Sequence, residues 1–279
     1  MLVERLPISL VPVLAIAAAA CGSQGQVSPS SDVGPPPHDA SADAQVDSEP
    51  EVQQPTLQRV IVLANDDTTF KADLYAFEGT DSAWTEAFRH PVTIGRNGLG
   101  WGLGLHSQAD IPEGDPIKHE GDGKAPMGMF ALPQAWGYLP TESVDTKLPY
   151  EVATSNLLCI DDVASPYYNR VIDREVEGLP VNDLPSHEDM LRSDFLYKYT
   201  IFVAHNAASP QPGAGSCIFL HLWGDADTST AGCTSMAEPD MVRLLGWLDP
   251  AKSPVLVQLT RPNYERLASS WDLPNIELP

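Results

Sequence analysis

Two continuous apolar runs lie within residues 199–222, YTIFVAHNAASPQPGAGSCIFLHL. The runs, Tyr199–Ala204 and Cys217–Leu222, have the length and apolar content of strands that are buried in a packed sheet. The residues between them are rich in Pro, Gly and Ser, which favour loops. The pattern predicts two strands joined by a loop, and it places His221 near the end of a buried strand.

Other runs extend this prediction of a sheet. The segments Arg59–Leu63 and Ala72–Phe77 flank a turn-rich stretch and predict a hairpin, while Val92–Ile94 and Val255–Leu259 predict further strands, the latter closing the fold. The segment Gly95–Gly104 predicts a loop of defined shape, because its glycines permit positive φ. We therefore expect a mainly β domain.

The sequence predicts a helix at two places. Ser186–Arg192 begins with Ser-His-Glu-Asp, a pattern close to a helix capping box. Apolar residues recur at helical spacing from Met241 to Leu248, after Pro239, which the first turn of a helix tolerates. Both helices are expected to be short.

Residues 1–20 have the pattern of a secretory signal peptide, because Arg5 precedes an apolar run that ends in small residues. Cys21 follows directly and resembles the acylated cysteine of a bacterial lipoprotein. This pattern predicts an exported, periplasmic protein that a lipid anchors to a membrane. Secretion without lipid, with Cys21 free or paired, is the alternative.

Residues 21–56 are acidic and rich in Pro and Ser, and they contain no Lys or Arg. Such a segment cannot bury enough apolar surface to offset the entropy of ordering it, which predicts a disordered tether. Residues 57–279, which hold all six Trp, are expected to form one folded domain.

The chain carries 38 Asp and Glu against 16 Lys and Arg, a formal net charge of −22. This charge repels phosphate groups and argues against a nucleic-acid partner. Solvation accounts for most of the acidity, and cationic or mixed-charge partners stay open.

Three cysteines follow Cys21, namely Cys159, Cys217 and Cys233. An odd number leaves one thiol without an intramolecular partner in an oxidising compartment. A disulfide between Cys159 and Cys217 would leave Cys233 free. Two buried thiols would give the same sequence, so both arrangements stay open.

His221 and Cys233 provide the parts of a thiol-dependent site. Such a site needs a thiol, a base that takes its proton and backbone N–H groups that stabilise an oxyanion. Gly232 permits a sharp turn beside the sulfur, and a helix after Cys233 would add a favourable dipole. On residue type alone the pair is more often structural, and a zinc site that includes His205 is a weaker rival because its spacing fits no familiar pattern.

The segment 219–236, FLHLWGDADTSTAGCTSM, resembles the signature of the L,D-transpeptidase (YkuD-type) family, a His followed by a loop that ends in Ser/Thr-x-Gly-Cys. Upstream, Gly121–Phe130 resembles the family's Gly-x-x-x-Thr-Pro-x-Gly-x-Phe segment, and Thr93–Gly98 resembles the strand and loop ahead of it. The resemblance implies a YkuD-like β-sandwich of mixed sheets with a few short helices, as a catalytic domain at residues 57–279.

The resemblance also implies a chemistry. Cys233 would be the nucleophile and His221 the base, the amides near Gly232 and Cys233 would form the oxyanion site, and Thr230 would take the place of the family's Ser. Peptidoglycan stem peptides would be the partners: a thioester on Cys233 would release the terminal D-alanine, and an amine of a neighbouring stem would complete a crosslink. Water as acceptor would make the site an L,D-carboxypeptidase. The resemblance implies no cofactor and no metal.

The chain departs from the family pattern at two places. Ala231 stands where many members have His or Arg, and Thr234–Met236 lack the arginine that many members have soon after the cysteine. The missing arginine motivates a second hypothesis, a non-catalytic cell-wall-binding lipoprotein. A thiol hydrolase acting on another amide is a third.

Other residues are candidates with an ordinary structural alternative. Trp223 would line the donor stem or belong to the core. Asn206, beside His205, would bind substrate or orient His221, or would form a satisfied polar pair. The further polar residues that the sequence leaves ambiguous are His106, His119, Asp161, Asp162 and Asn169.

Overall fold

The structure, a computed structural model, describes residues 56–80, 83–180 and 182–277. The predicted signal peptide, the predicted lipidation site Cys21 and the predicted tether up to residue 55 lie outside the described residues. No helix in the described ranges has the length and apolar character needed to cross a membrane.

Strands dominate the described residues. They are β1 (Leu57–Ala64), β2 (Lys71–Thr80), β3 (Ala83–Thr93), β4 (Leu99–Trp101), β5 (Ala125–Ala131), β6 (Ala135–Gly137), β7 (Tyr150–Val152), β8 (Leu157–Ile160), β9 (Arg170–Asp173), β10 (His187–Asp189), β11 (Tyr199–Phe202), β12 (Phe219–Leu222), β13 (Thr234–Met236) and β14 (Val255–Thr260). The α-helices are α1 (Glu238–Trp247) and α2 (Arg261–Leu267). The prediction of a mainly β protein with few short helices is confirmed.

One large mixed sheet joins eleven strands in the order β4-β5-β14-β1-β2-β3-β13-β12-β11-β6-β7. The remaining strands form a small antiparallel sheet in the order β10-β8-β9. Strands β1 and β2 pair antiparallel along their length, which confirms the predicted hairpin. Parallel pairing of β12 with β13 places the segment after Cys233 beside the strand that carries His221.

The strands at the centre of the large sheet are buried on both faces. Residues 60–64 of β1 and all six residues of β14 are buried, as expected for apolar strands that are covered on both faces. Helix α1 buries Met241, Leu244 and Leu245 and contacts β11 and β12. The core therefore continues up to the strands that carry the predicted site.

The predicted helix at Ser186–Arg192 is wrong. His187–Asp189 forms strand β10 and pairs antiparallel with Leu158–Ile160 of β8. The side chain of Glu188 bonds to Tyr197 and caps no helix. A partner strand distant in the sequence thus overrides a local capping pattern.

Two further predictions need adjustment. The strand at Val255–Leu259 is confirmed as β14, but it lies inside the sheet and is followed by α2, whose first turn is capped by the Thr260 hydroxyl accepting from the Asn263 N–H. The segment Gly95–Gly104 is a loop only in part, because Leu99–Trp101 forms β4.

Candidate active site

One cavity contains both residues of the predicted pair. His221 and Cys233 line a cavity of about 210 Å³, together with Thr230 and Trp223. Cys233 directly precedes β13, in which Ser235 lies opposite His221 of β12. The parallel pairing therefore brings the imidazole and the thiol to one place, although a loop separates them in the sequence.

Cys233 is a free cysteine, and it is only 7% exposed. Its Sγ accepts a hydrogen bond from the Phe219 N–H at 3.4 Å and donates to the Cys217 carbonyl oxygen at 3.6 Å. Burial, and after it the negative charge of Glu188, raises the pKa of Cys233 to about 12. Strand β13 follows Cys233 and α1 begins only at Glu238, so the predicted helix does not start at the thiol. The sulfur is therefore a neutral thiol at pH 7.

Two bonds hold Cys217, whose carbonyl oxygen accepts the hydrogen bond of the Cys233 thiol. Cys217 forms a disulfide with Cys159, and its N–H donates to Asn169 Oδ1 at 3.0 Å. The side-chain amide of Asn169 in turn donates to the carbonyl oxygens of His205 and Asn206. Asn169 thus holds the backbone of Cys217 in place, although it does not line the cavity.

Thr230 closes the turn that carries the cysteine. Its hydroxyl donates to the Cys233 carbonyl oxygen at 2.6 Å and accepts from the Gly232 N–H at 3.1 Å. The Gly232 N–H, expected from the sequence to stabilise an oxyanion, is therefore bonded inside the turn. A Cβ at Gly232 would lie 3.1 Å from the Lys124 carbonyl oxygen, so close packing favours glycine there.

The two upstream segments that resemble the family pack against this turn. Thr230 donates its N–H to the Ile94 carbonyl oxygen at 3.0 Å and accepts from the Arg96 N–H at 2.9 Å. A Cβ at Gly95 would lie 2.5 Å from the Gly123 carbonyl oxygen, a distance that only glycine permits. Folding therefore brings together the three stretches of sequence on which the resemblance depends.

His221 is buried and neutral at pH 7. Its Nδ1 lies 2.6 Å from the Leu222 carbonyl oxygen, which assigns the proton to Nδ1 and leaves the lone pair on Nε2. Burial lowers the pKa of His221 to about 4. No hydrogen bond within the described part of the chain joins His221 to Cys233. The resting pair is therefore a neutral imidazole and a neutral thiol in one cavity.

The same cavity contains polar residues that the sequence did not single out. Glu188 lines it from β10, and Arg192 and Tyr197 line it from the segment between β10 and β11. The guanidinium of Arg192 lies 5.0 Å from the centre of the Tyr197 ring and forms a forked ion pair with Asp194. No motif marks these residues, and the local pattern favoured a helix in this segment.

Asn206 does not line the cavity. Its side chain bonds to the backbone of Gln211 and Gly215, which closes the loop that follows it. The neighbouring His205 is likewise held by backbone groups, since its Nδ1 accepts from the Leu103 N–H and its Nε2 lies 2.9 Å from the Ala214 carbonyl oxygen. The structure thus gives Asn206 a loop-closing role, which matches the satisfied polar pair that the sequence offered as the alternative to a substrate contact.

Four of the residues that the sequence left ambiguous do not line the cavity: His106, His119, Asp161 and Asp162. Within residues 56–80, 83–180 and 182–277, no group of three or more His, Cys, Asp or Glu side chains could hold a metal ion. The rival zinc site therefore has no ligand cluster among the described residues.

No protein-family model matches the chain. No curated protein matches it either. Among solved structures, the helical cell shape determining protein Pgp2 from Campylobacter jejuni is similar with a TM-score of 0.34 and 10% identity, over 74% of this chain and 48% of that one. The K307A mutant of the same protein gives a TM-score of 0.33, with the same identity and coverage. The chain thus spans about half the length of these structures, and similarity at this level carries no functional information.

Proposed function

We propose that the protein is a cysteine-dependent acyltransferase, an L,D-transpeptidase that acts on peptidoglycan stem peptides. The observation that carries this proposal is the meeting of the free thiol of Cys233 and the imidazole of His221 in one cavity. The turn that carries Cys233 has the sequence that resembles the L,D-transpeptidase signature, and both upstream segments of the resemblance pack against it.

In the proposed reaction, the Cys233 sulfur attacks the carbonyl that links the third stem residue to the terminal D-alanine, and the thiol proton passes to a base. The C–N bond then breaks, D-alanine leaves with a protonated amine, and a thioester remains. An amine of a neighbouring stem attacks the thioester and releases the sulfur. His221, which is neutral at pH 7, accepts the proton of the incoming amine.

The shape and charge of the cavity suit the end of a peptide. Its volume of about 210 Å³ is below the roughly 300 Å³ at which pockets begin to enclose drug-sized ligands. The cavity would therefore hold the residues beside the cleaved bond, with the rest of the stem outside. Arg192 supplies a guanidinium here, although Thr234–Met236 lack the arginine that the resemblance leads one to expect.

The proposal is tested by incubating the full chain with muropeptides that bear tetrapeptide stems. We expect crosslinked product, released D-alanine and a transient acyl adduct on Cys233 that mass spectrometry detects. Cys233→Ala should abolish all three, while Glu142→Gln, on an exposed residue away from the cavity, should change none. Absence of both product and D-alanine with the native chain would contradict the proposal.

The identity of the acceptor separates transfer from hydrolysis. If D-alanine appears without crosslinks even when acceptor stems are in excess, the protein is an L,D-carboxypeptidase that uses the same cysteine. Product analysis of one reaction, with and without acceptor stems, decides between these two activities.

A specific observation favours a second candidate, a cell-wall-binding protein without catalysis. The thiol has a pKa raised to about 12, and within the described residues it has no hydrogen bond to His221. This candidate predicts that the native chain and Cys233→Ala bind purified sacculi equally and that neither forms an acyl adduct. An acyl adduct on Cys233 of the native chain would exclude it.

Export and a lipid anchor on Cys21 are part of what we propose, because they would place the enzyme beside its substrate. Cys21→Ala should move the protein from the membrane fraction to the soluble fraction. An unchanged membrane fraction would contradict the anchor without affecting the proposed chemistry.

A further inference from the structure

Glu188 is a carboxylate of the cavity with one oxygen that has no partner. Its Oε2 accepts a hydrogen bond from the Tyr197 hydroxyl. Its Oε1 has no hydrogen-bond partner among the described residues, and this oxygen is not sealed off from solvent. The side chain lines the same cavity as Cys233 and His221. The cavity therefore contains a charged acceptor that the protein itself does not satisfy.

Arg192, the cation that lines the cavity, is paired with a different carboxylate. Its Nε and Nη2 donate to Asp194 at 2.9 and 2.5 Å, and its guanidinium lies over the Tyr197 ring. No ion pair joins Arg192 to Glu188 in the part of the chain that the structure describes. A partly buried carboxylate without a paired cation costs free energy. A cationic group of a ligand would supply the counter-ion that Glu188 lacks.

Two further groups in the cavity can accept hydrogen bonds. His221 Nε2 carries a lone pair and has no partner among the residues described. Ser235 lies opposite His221 on the neighbouring strand, so both side chains point to the same face of the sheet. The Ser235 hydroxyl donates to Thr93 Oγ1 at 2.8 Å, because the proton of Thr93 goes to the Thr228 carbonyl oxygen. The lone pairs of Ser235 Oγ stay available.

We propose that Glu188 binds the ammonium group of the acceptor stem, an inference that rests on the proposed transfer of an acyl group from Cys233 to an amine. An ammonium has three N–H donors and one positive charge. Glu188 supplies the opposite charge, while His221 Nε2 and Ser235 Oγ add neutral acceptors in the same cavity. This is a binding step, in which no bond forms or breaks. Because water carries no charge, Glu188 favours the amine over water as the acceptor.

The charges around Glu188 suit the binding of a cation. Burial raises the pKa of Glu188, and the negative charges of Asp161 and Glu120 raise it further. The hydrogen bond from Tyr197 and the positive charge of Arg192 lower the same pKa. An ammonium beside Glu188 would offset the cost of burying the carboxylate, and the two neighbouring acidic residues would attract it as well.

The test compares two reagents that modify Cys233 in the full chain. The first is 2-aminoethyl methanethiosulfonate, which carries an ammonium, and the second is 2-hydroxyethyl methanethiosulfonate, which is neutral and of similar size. Both form a mixed disulfide with the thiol and release methanesulfinate. The ratio of their rates therefore reports on the cation and cancels the reactivity of the sulfur itself. Mass spectrometry of the Cys233 peptide gives both rates.

We expect the ratio in the folded native chain to exceed the ratio in the urea-unfolded chain by roughly tenfold. Glu188→Gln should lower the folded-state ratio by roughly fivefold or more, and Glu188→Asp should keep part of the preference. Glutamine can still accept the hydrogen bond from Tyr197, so this variant removes the charge and keeps the packing, and thermal unfolding checks its fold. The matched control is Asp189→Asn, because successive side chains of a strand point to opposite faces and Asp189 does not line the cavity.

Three results would overturn the inference: no preference in the native chain, an unchanged ratio in Glu188→Gln, or an equal fall in Asp189→Asn. The labelling needs no muropeptide, so it is independent of the proposed function. A chain that prefers the aminoethyl reagent but forms no crosslink would contradict the proposed function and leave the cation site standing. A chain that forms crosslinks without this preference would do the reverse. With muropeptides, Glu188→Gln should raise KM for acceptor stems by roughly tenfold, while D-alanine release to water continues.

Discussion

The Cys233 thiol donates its hydrogen bond to the carbonyl oxygen of Cys217, at 3.6 Å between the sulfur and the oxygen. Cys217 is also the residue that the disulfide ties to Cys159 in β8. The disulfide therefore stabilises the domain and holds the backbone against which the thiol rests.

Loss of this disulfide should destabilise the protein. The bonded cysteines are 58 residues apart, and closing a loop of that length in the unfolded chain is worth about 4 kcal/mol. We expect Cys159→Ser/Cys217→Ser to lower the free energy of unfolding by about that amount, measured by urea denaturation. Cys233→Ser is the matched control, and a loss in the double variant no larger than in this control would show that the disulfide contributes little.

The hydroxyl of Thr230 should be needed to keep the cysteine turn in shape. Thr230→Val removes the partner of the Gly232 N–H and of the Cys233 carbonyl oxygen, at a cost of about 1–3 kcal/mol for buried polar groups left unpaired. We expect lower stability in urea denaturation and slower acyl transfer. Thr230→Ser keeps the hydroxyl and should stay near the native protein, so equal losses in both variants would contradict this role.

The strands around the site are predictable because their signal is local. Strands β12 and β14 are buried along their whole length and most of their residues are apolar, and such runs indicate buried strands without any knowledge of their partners. The pairing of His221 with Cys233 follows from the resemblance of one short segment, since composition alone favours structural roles for both residues.

The part of the cavity that Glu188, Arg192 and Tyr197 line is not predictable from local sequence. Glu188 lies in a strand that exists because β8 pairs with it, and the capping pattern beside it predicts a helix instead. Arg192 and Tyr197 follow in a segment without regular periodicity, and they reach the cavity only because β10 and β11 hold its two ends. For Asn206 the sequence left a site role and a satisfied polar pair open, and only the fold shows that its side chain closes a loop.

Stability should fall in mild acid. Burial lowers the pKa of both His205 and His221 to about 4 in the folded protein, whereas an unfolded chain has His pKa values near 6.5. Below about pH 6.5 the unfolded chain therefore binds more protons, so the stability that is fully present above this pH is lost as pH falls toward 4. Each ring contributes on the order of 3 kcal/mol.

The measurement for this prediction is the free energy of unfolding in urea at several pH values between 7 and 4. His205→Gln should flatten the slope, because it removes one of the two rings whose pKa burial lowers to about 4. A slope that His205→Gln does not reduce would show that this ring is not the source of the acid sensitivity.

Arg192 has the geometry to bind a carboxylate in the cavity. Its Nε and Nη2 face Asp194, at 2.9 Å from Oδ1 and 2.5 Å from Oδ2, and its side chain keeps 34% of its surface exposed. The guanidinium also rests over the Tyr197 ring, which limits its motion. Three of its five N–H donors need partners other than those two contacts.

We therefore expect Arg192 to determine how tightly the end of the stem peptide binds, because a guanidinium fork recognises a carboxylate with two parallel hydrogen bonds. Arg192→Lys keeps the charge but loses the fork, and it should raise KM for tetrapeptide stems by roughly tenfold while kcat changes little. Amidation of the substrate carboxylates should raise KM for the native chain by a similar factor and have little further effect on Arg192→Lys. Arg89→Lys, on an exposed residue of β3 that lies 3.8 Å from Glu86, is the control for replacing a guanidinium by an ammonium elsewhere on the surface. Should Arg192→Lys lower kcat and leave KM unchanged, the guanidinium would act on the Tyr197 and Glu188 pair instead of on the substrate.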